Sequence, residues 1–256
     1  MTNLQTWPYP RVVAHRGGGA LAPENTLAAL DAGAHYGHKM VEFDAKLSAD
    51  GVAFLLHDDT VERTSNGAGA ARDMRYAALE ALEALDAGAW YDARFSGERM
   101  PTLAQAAARC LALGLAANVE IKPCPERDAE TGSVVAALAA ELWRDAAVPP
   151  LLSSFSAAAL DAAREAAPAL PRGMLYEEIP AGWLEQTQRL GCVSLHAHHA
   201  QFNAALVRDL KASGLRLLAY TVNDPVRARE LADWGVDLIC TDRIDLIGAD
   251  FADREG

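Results

Sequence analysis

The chain has 256 residues, 51% hydrophobic and 23% charged, the make-up of a globular protein rather than a disordered or fibrous one. A net charge of -12, with no cluster of five or more Lys and Arg, argues against a nucleic-acid backbone or an anionic membrane surface as partner. No run of 18 apolar residues occurs and MTNLQTWPYPR lacks the charged-then-apolar order of a signal peptide, so a cytoplasmic protein without stable membrane association is expected.

The length accommodates one α/β barrel, and a single domain over 1–256 is expected. Cys110, Cys124, Cys192 and Cys240 form no CxxC pair and read as small buried hydrophobes. Along the chain, short apolar runs alternate with Ala- and Leu-rich amphipathic stretches, the pattern of parallel strands joined by helices. Eight such runs occur: RVVAH, KMVEF, LAANVEI, PLLSSF, RGMLY, CVSLH, LRLLAYTV and VDLICT. ENTLAALDAGAHYG follows the first and DPVRARELADWG the seventh, each a helix pattern closed by glycine. The fold expected is a TIM (β/α)8 barrel. An open doubly wound sheet is the rival, but no GxGxxG follows an early strand to support it.

The rhythm breaks once. Asp50-Gly51 reads as a hairpin turn that folds AFLLHD back along VEFDAKL, and a Gly- and Asn-rich stretch, ERTSNGAGA, follows. Residues 45–100 are therefore expected to form an insertion on the catalytic rim, after the second strand. FADREG reads as a frayed tail.

Barrel active sites lie at the C-terminal ends of strands. There the sequence places His15 and Arg16, then Glu42 and Asp44, then Glu120 and Lys122, with His57 delivered by the hairpin. Glu42 and Asp44 point to one face of a strand, since side chains alternate with a period of two. Paired carboxylates in an apolar strand repel and are costly to desolvate, which a bound cation explains most simply. Three carboxylates offer oxygen only and suit one Mg²⁺ or Ca²⁺ ion better than zinc. Strand-end salt bridges with Arg16 and Lys122 are the plainer account of any single one of them. Either histidine alone reads more readily as structural; together, beside the carboxylates, His15 and His57 can divide acid and base work. Arg16 offers a planar fork and Lys122 a compact charge for a phosphoryl group, so an anionic small-molecule substrate is expected.

Other residues carry less. Gly17-Gly18-Gly19 reads equally as a close approach to ligand or a plain turn. Asn25 and Thr26 in PENT read as a helix start rather than substrate contacts. His196, His198 and His199 are placed on the rim, solvated or touching substrate. Asn223 serves a ligand or a turn, Tyr220 and Trp234 read as packing residues, and Asp242 pairs with Arg243 or contacts the rim.

The ordered set HRG, PENT, ExD, HD and EIK resembles the signature of the glycerophosphodiester phosphodiesterase family. It stands here as His15-Arg16, Glu42-Phe43-Asp44, His57-Asp58 and Glu120-Ile121-Lys122, and the likeness continues through LDAGAWYD, MPTL, SSF, AYTVN and CTDR. The resemblance implies a TIM-type barrel that hydrolyses glycerophosphodiesters, such as glycerophosphocholine or glycerophosphoethanolamine, to glycerol 3-phosphate and an alcohol. It implies a divalent metal on Glu42, Asp44 and Glu120, an acid/base pair in His15 and His57, and Arg16 and Lys122 on the phosphate. Tyr220 departs from the Trp that many members carry. The assignment of acid and base is left open at this stage, with His57 favoured as base, as is the choice between attack by water and attack by the substrate's own glycerol hydroxyl. A lysophospholipase D-type phosphodiesterase and a non-catalytic barrel that binds a phosphorylated metabolite are the alternatives. Monomer and homodimer are both compatible with the sequence.

Overall fold

The computed structural model describes residues 7–77 and 82–251, so most of the expected tail lies outside the described residues. In chain order the elements are β1 (Val12–Ala14), α1 (Leu27–His35), β2 (Met40–Leu47), β3 (Ala53–Leu55), α2 (Leu103–Leu113), β4 (Ala116–Ile121), α3 (Asp128–Leu142) and β5 (Leu151–Ser154). They continue as α4 (Ala157–Ala166), β6 (Arg172–Tyr176), α5 (Trp183–Arg189), β7 (Ser194–His198), α6 (Ala204–Ala212), β8 (Arg216–Tyr220), α7 (Pro225–Trp234) and β9 (Leu238–Thr241).

Eight of the strands pair in parallel in the order β1-β9-β8-β7-β6-β5-β4-β2, and β1 pairs with β2 to close the ring. This is the expected (β/α)8 barrel, and its eight strands coincide with the eight apolar runs. The runs read as continuously apolar because a closed parallel sheet is covered on both faces, by helices outside and its own core inside. Val13, Met40, Leu151, Leu218, Leu238 and Cys240 fill the interior. Helix ends follow local chemistry. The Thr26 hydroxyl accepts the Ala29 amide, Asp224 caps α7 with Pro225 in its first turn, and Gly235 closes it in the left-handed conformation. Cys110, Cys124 and Cys240 are buried and Cys192 is half-buried.

β3 stands outside the ring. It pairs antiparallel with β2 in the register Ala45 to Leu55, with Gly51 at φ +77° in the turn. Residues 56–102 then run to α2 around an apolar cluster of their own, in which Phe54, Leu56, Val61, Tyr76, Leu82 and Met100 are buried. The Tyr91 hydroxyl ties this segment to the β1–α1 loop by donating to the Ala20 carbonyl at 2.7 Å. It therefore stands over the end of the barrel where the chemistry-bearing residues lie.

Candidate active site

The parallel register sets the carboxylates side by side. Asp44 of β2 is paired with Glu120 of β4, and Glu42 lies one inward-facing position below Asp44. One carboxylate oxygen from each of Glu42, Asp44 and Glu120 lies within 4.8 Å of the others, and all three residues are buried. Burial and the neighbouring Asp44 charge push the Glu42 and Glu120 carboxyls well above the usual carboxylate range. Burial pushes Asp44 the same way, but Arg16, His57 and Lys122 outweigh it and hold that carboxyl low.

Salt bridges account for part of the cluster only. Lys122 Nζ lies 2.9 Å from Glu120 Oε1 and 3.9 Å from Asp44 Oδ1, and Arg16 Nε lies 3.6 Å from Asp44 Oδ2. Glu42 accepts the Arg16 backbone N–H at 2.9 Å through Oε2, while its buried Oε1 has no hydrogen-bond partner among the described residues. A buried carboxylate oxygen with nothing to bind is expensive. The cluster thus has a donor set and spacing that could hold a metal ion, and its neighbouring bases do not satisfy Glu42 Oε1.

Two histidines stand beside the cluster. His15, following β1, meets Asp242 Oδ1 through Nδ1 at 2.6 Å, and its Nε2 lies 3.8 Å from Glu42 Oε2. Burial alone would lower the His15 pKa, but the Asp242 hydrogen bond and the Glu42 and Asp242 charges outweigh it, so the net shift is upward. His57, following β3, meets Asp58 Oδ1 through Nδ1 at 2.7 Å, and Lys122 Nζ lies 3.0 Å from its Nε2. An ammonium only donates, so His57 Nε2 is the accepting nitrogen and Nδ1 carries the proton shared with Asp58. Burial is the largest influence on His57 and shifts its pKa downward, with Arg16 and Lys122 adding to it.

Several supporting residues were not legible from the sequence. Asn25, expected only to begin a helix, takes φ +58° and clamps Asp44: its Nδ2 donates to Oδ2 at 2.8 Å and its Oδ1 accepts the Asp44 N–H at 3.0 Å. Asn tolerates the left-handed region better than most residues, and that is the signal that could have marked it. Asp242 pairs with His15 and not with Arg243, which bonds Asp245 instead. Asn223 braces Asp242, donating to Oδ2 at 2.9 Å and accepting its N–H at 2.8 Å. The glycine run packs closely against neighbouring backbone. A Cβ on Gly19 would sit 2.2 Å from the Asp242 carbonyl oxygen, so glycine there lets the His15 loop and the Asp242 loop touch.

His196 departs from expectation. It lies fully buried inside the barrel with Nε2 2.9 Å from Ser194 Oγ, two residues short of the rim because β7 continues to His198. His198 and His199 are half-buried at the strand end. Tyr220 packs edge-on against Phe155, and Trp234 packs beneath Arg227. A cavity of about 420 Å³ opens beside His15, Arg16, Glu24 and Asp242, walled by Trp90 and Tyr91 of the 56–102 segment. Among the described residues no helix is long and apolar enough to cross a membrane.

Residues 15–246 match the model of the glycerophosphoryl diester phosphodiesterase family. The chain belongs to that family. It is a phosphoric diester hydrolase on a closed eight-stranded barrel. A glycerophosphodiester phosphodiesterase of Caldanaerobacter subterraneus is 32% identical to this family member over 90% of the chain and 93% of the relative. Among solved structures, an Oleispira antarctica phosphodiesterase in complex with the product sn-glycerol-3-phosphate is 36% identical, with a TM-score of 0.86 over 94% of this chain and 96% of that one. The Agrobacterium tumefaciens glycerophosphodiester phosphodiesterase is 29% identical, with a TM-score of 0.73 over 95% and 99%.

Proposed function

We propose that this family member, one barrel domain with an insertion at about 45–100, hydrolyses glycerophosphodiesters to sn-glycerol 3-phosphate and an alcohol with the help of one divalent cation. The observation that carries the reading is the buried trio of Glu42, Asp44 and Glu120, with Glu42 Oε1 unpartnered, between two histidines whose Nδ1 atoms each meet an aspartate. The similar Oleispira antarctica phosphodiesterase holds sn-glycerol-3-phosphate, which supports this product here. Mg²⁺ and Ca²⁺ both suit an all-oxygen donor set, and when bound the ion supplies positive charge to a non-bridging phosphate oxygen.

The residues divide the remaining work. Arg16 and Lys122 neutralise charge that grows on the phosphate oxygens as the attacking oxygen closes in. His57 Nε2, already an acceptor, takes the proton of the attacking hydroxyl, whether that belongs to water or to the substrate's glycerol. His15, held by Asp242 and facing Glu42, carries the proton that passes to the leaving alkoxide. The cavity beside His15, walled by Trp90 and Tyr91, receives the alcohol that departs.

A panel of glycerophosphocholine, glycerophosphoethanolamine and lysophosphatidylcholine, read by product identity with added Mg²⁺, Ca²⁺ or chelator, tests this. Glycerol 3-phosphate is the expected product, and chelation is expected to lower turnover about a thousandfold, as loss of several kcal/mol of charge stabilisation requires. Undiminished turnover in chelator removes the metal from the reading; lysophosphatidic acid as the main product favours a lysophospholipase D.

A further inference from the structure

The 56–102 segment makes a contact with the site that the reaction chemistry above does not use. Arg63 follows the Thr60–Ala70 bridge, and its neighbour Val61 is buried in the segment's own apolar cluster. The Val61 amide donates to the Gly69 carbonyl at 3.1 Å, which fixes the backbone that bears the arginine. Its guanidinium lies between two acids from different parts of the chain. Nε and Nη2 donate to Asp58 Oδ2 and Oδ1 at 2.6 and 2.9 Å, while Nη1 and Nη2 donate to Glu24 Oε2 and Oε1 at 2.7 and 2.8 Å.

Each acid orients a different reacting group. Asp58 Oδ1 is the atom that meets His57 Nδ1 at 2.7 Å, and Glu24 Oε1 is the atom that accepts Arg16 Nη1 at 2.6 Å. A continuous series of contacts therefore runs from Arg16 through Glu24, Arg63 and Asp58 to His57, with Arg63 Nη2 as its middle atom. Two carboxylates this close repel unless a cation separates them. Arg63 provides that cation in a planar fork that engages both acids bidentately, a geometry a lysine ammonium cannot reproduce.

We propose that Arg63 is a positioning residue for phosphodiester hydrolysis, setting the separation and orientation of Arg16 and His57 together and so tying the site to the folding of the 56–102 segment. The proposal rests on the roles given above to Arg16 and His57. Arg63 acts through Glu24 and Asp58, and its side chain is 44% exposed. Exposed ion pairs contribute little to stability, so its removal is expected to show in turnover and not in unfolding.

The test is steady-state hydrolysis of glycerophosphoethanolamine by wild type, Arg63→Met, Arg63→Lys, Arg63→Ala and His57→Gln, with the thermal midpoint recorded for each. Arg63→Met is expected to lower kcat about a hundredfold, the effect of displacing a catalytic group by about an ångström, while its midpoint stays within a few degrees of wild type. KM is expected to rise as Arg16 loses its orientation. Arg63→Lys, which keeps the charge without the fork, is expected to recover only a small part of kcat. Millimolar methylguanidinium is expected to raise Arg63→Ala turnover at least tenfold, a rescue that a purely structural role does not give. Wild-type kcat in Arg63→Met with an inactive His57→Gln overturns the Arg63 proposal alone. Full activity in His57→Gln overturns the site reading and the proposal with it. Should Arg63→Met not fold, full activity in Arg63→Lys overturns the proposal.

Discussion

The barrel has eight staves but uses them unequally. The four consecutive strands β9, β1, β2 and β4 lead into Asp242, His15, Arg16, Glu42, Asp44, Glu120 and Lys122, whereas β5, β7 and β8 end at or lead into Phe155, His198 and Tyr220. The paired strands β2 and β4 bring three carboxylate oxygens within 4.8 Å of one another, so the charge is crowded onto one arc. The facing arc supplies an aromatic wall, with the Phe155 ring centroid 5.2 Å from Lys122 Nζ and Tyr220 packed edge-on against Phe155. Two histidines sharpen the contrast. His15 on the charged arc has Asp242 as partner and its pKa is raised, whereas His196 on the other arc has no acid partner among the described residues and burial depresses its pKa to about 3.

The largest expected effect lies in the charged arc. Replacing His15 or His57 by Ala is expected to lower turnover by about two to four orders of magnitude if each transfers a proton in the rate-limiting step. His196→Gln, on the opposite arc, is expected to keep turnover at pH 7 within about threefold of wild type, since a buried histidine that reaches no substrate transfers no proton. A pH-jump or steady-state assay of the three variants decides the matter, and an inactive His196→Gln that remains folded would break the comparison.

An intermediate effect is expected at Asp242. Asp242→Asn keeps the backbone N–H bond to Asn223 Oδ1, but its single side-chain oxygen cannot accept from both His15 Nδ1 and Asn223 Nδ2 and the charge that favours the protonated His15 is gone, so kcat is expected to fall about tenfold to a hundredfold. Arg243→Ala, adjacent in sequence and paired through its side chain only with Asp245 among the described residues, is expected to leave kcat within about twofold. Equal losses in both variants would show that the loop as a whole, and not the His15 to Asp242 contact, is what matters.

These contacts mark the boundary of what the chain reveals before it folds. The eight strands were legible because strands covered on both faces read as unbroken apolar runs, and the hairpin because Asp50-Gly51 supplies the positive φ its turn requires. Glu42, Asp44, Glu120 and both histidines were legible as charged interruptions at the ends of those runs. Asp242 was not assigned to His15, although closure of the barrel makes β9 the neighbour of β1, because the partners lie 227 positions apart. Glu24 and Arg63 were missed for a similar reason: their partners are set by how the 56–102 segment folds back, which no local pattern encodes. His196 was misplaced by one full alternation. Its strand continues two residues further than the apolar run, which moves the side chain from the rim to the interior.

The smallest expected effect concerns stability and sets the far arc apart by pH. His196 is neutral in the folded barrel down to about pH 3, whereas in the unfolded chain it binds a proton below its ordinary 6.5. Between those values the unfolded state holds more protons, so stability rises with pH; this group's contribution is complete above 6.5 and is lost as pH falls. From pH 7 to pH 5.5 the loss is expected to be about 1 kcal/mol. Glu42, Glu120 and the shifted His15, His38, His57 and His199 also contribute in or near this window, so the comparison with His196→Gln is what isolates this one group. Urea unfolding at the two pH values checks the point: wild type should weaken by this amount more than His196→Gln. Equal pH dependence in the two proteins would mean that His196 binds its proton in the folded state as readily as in the unfolded one, with a charge accommodated among Ser194, Gly173 and the apolar interior.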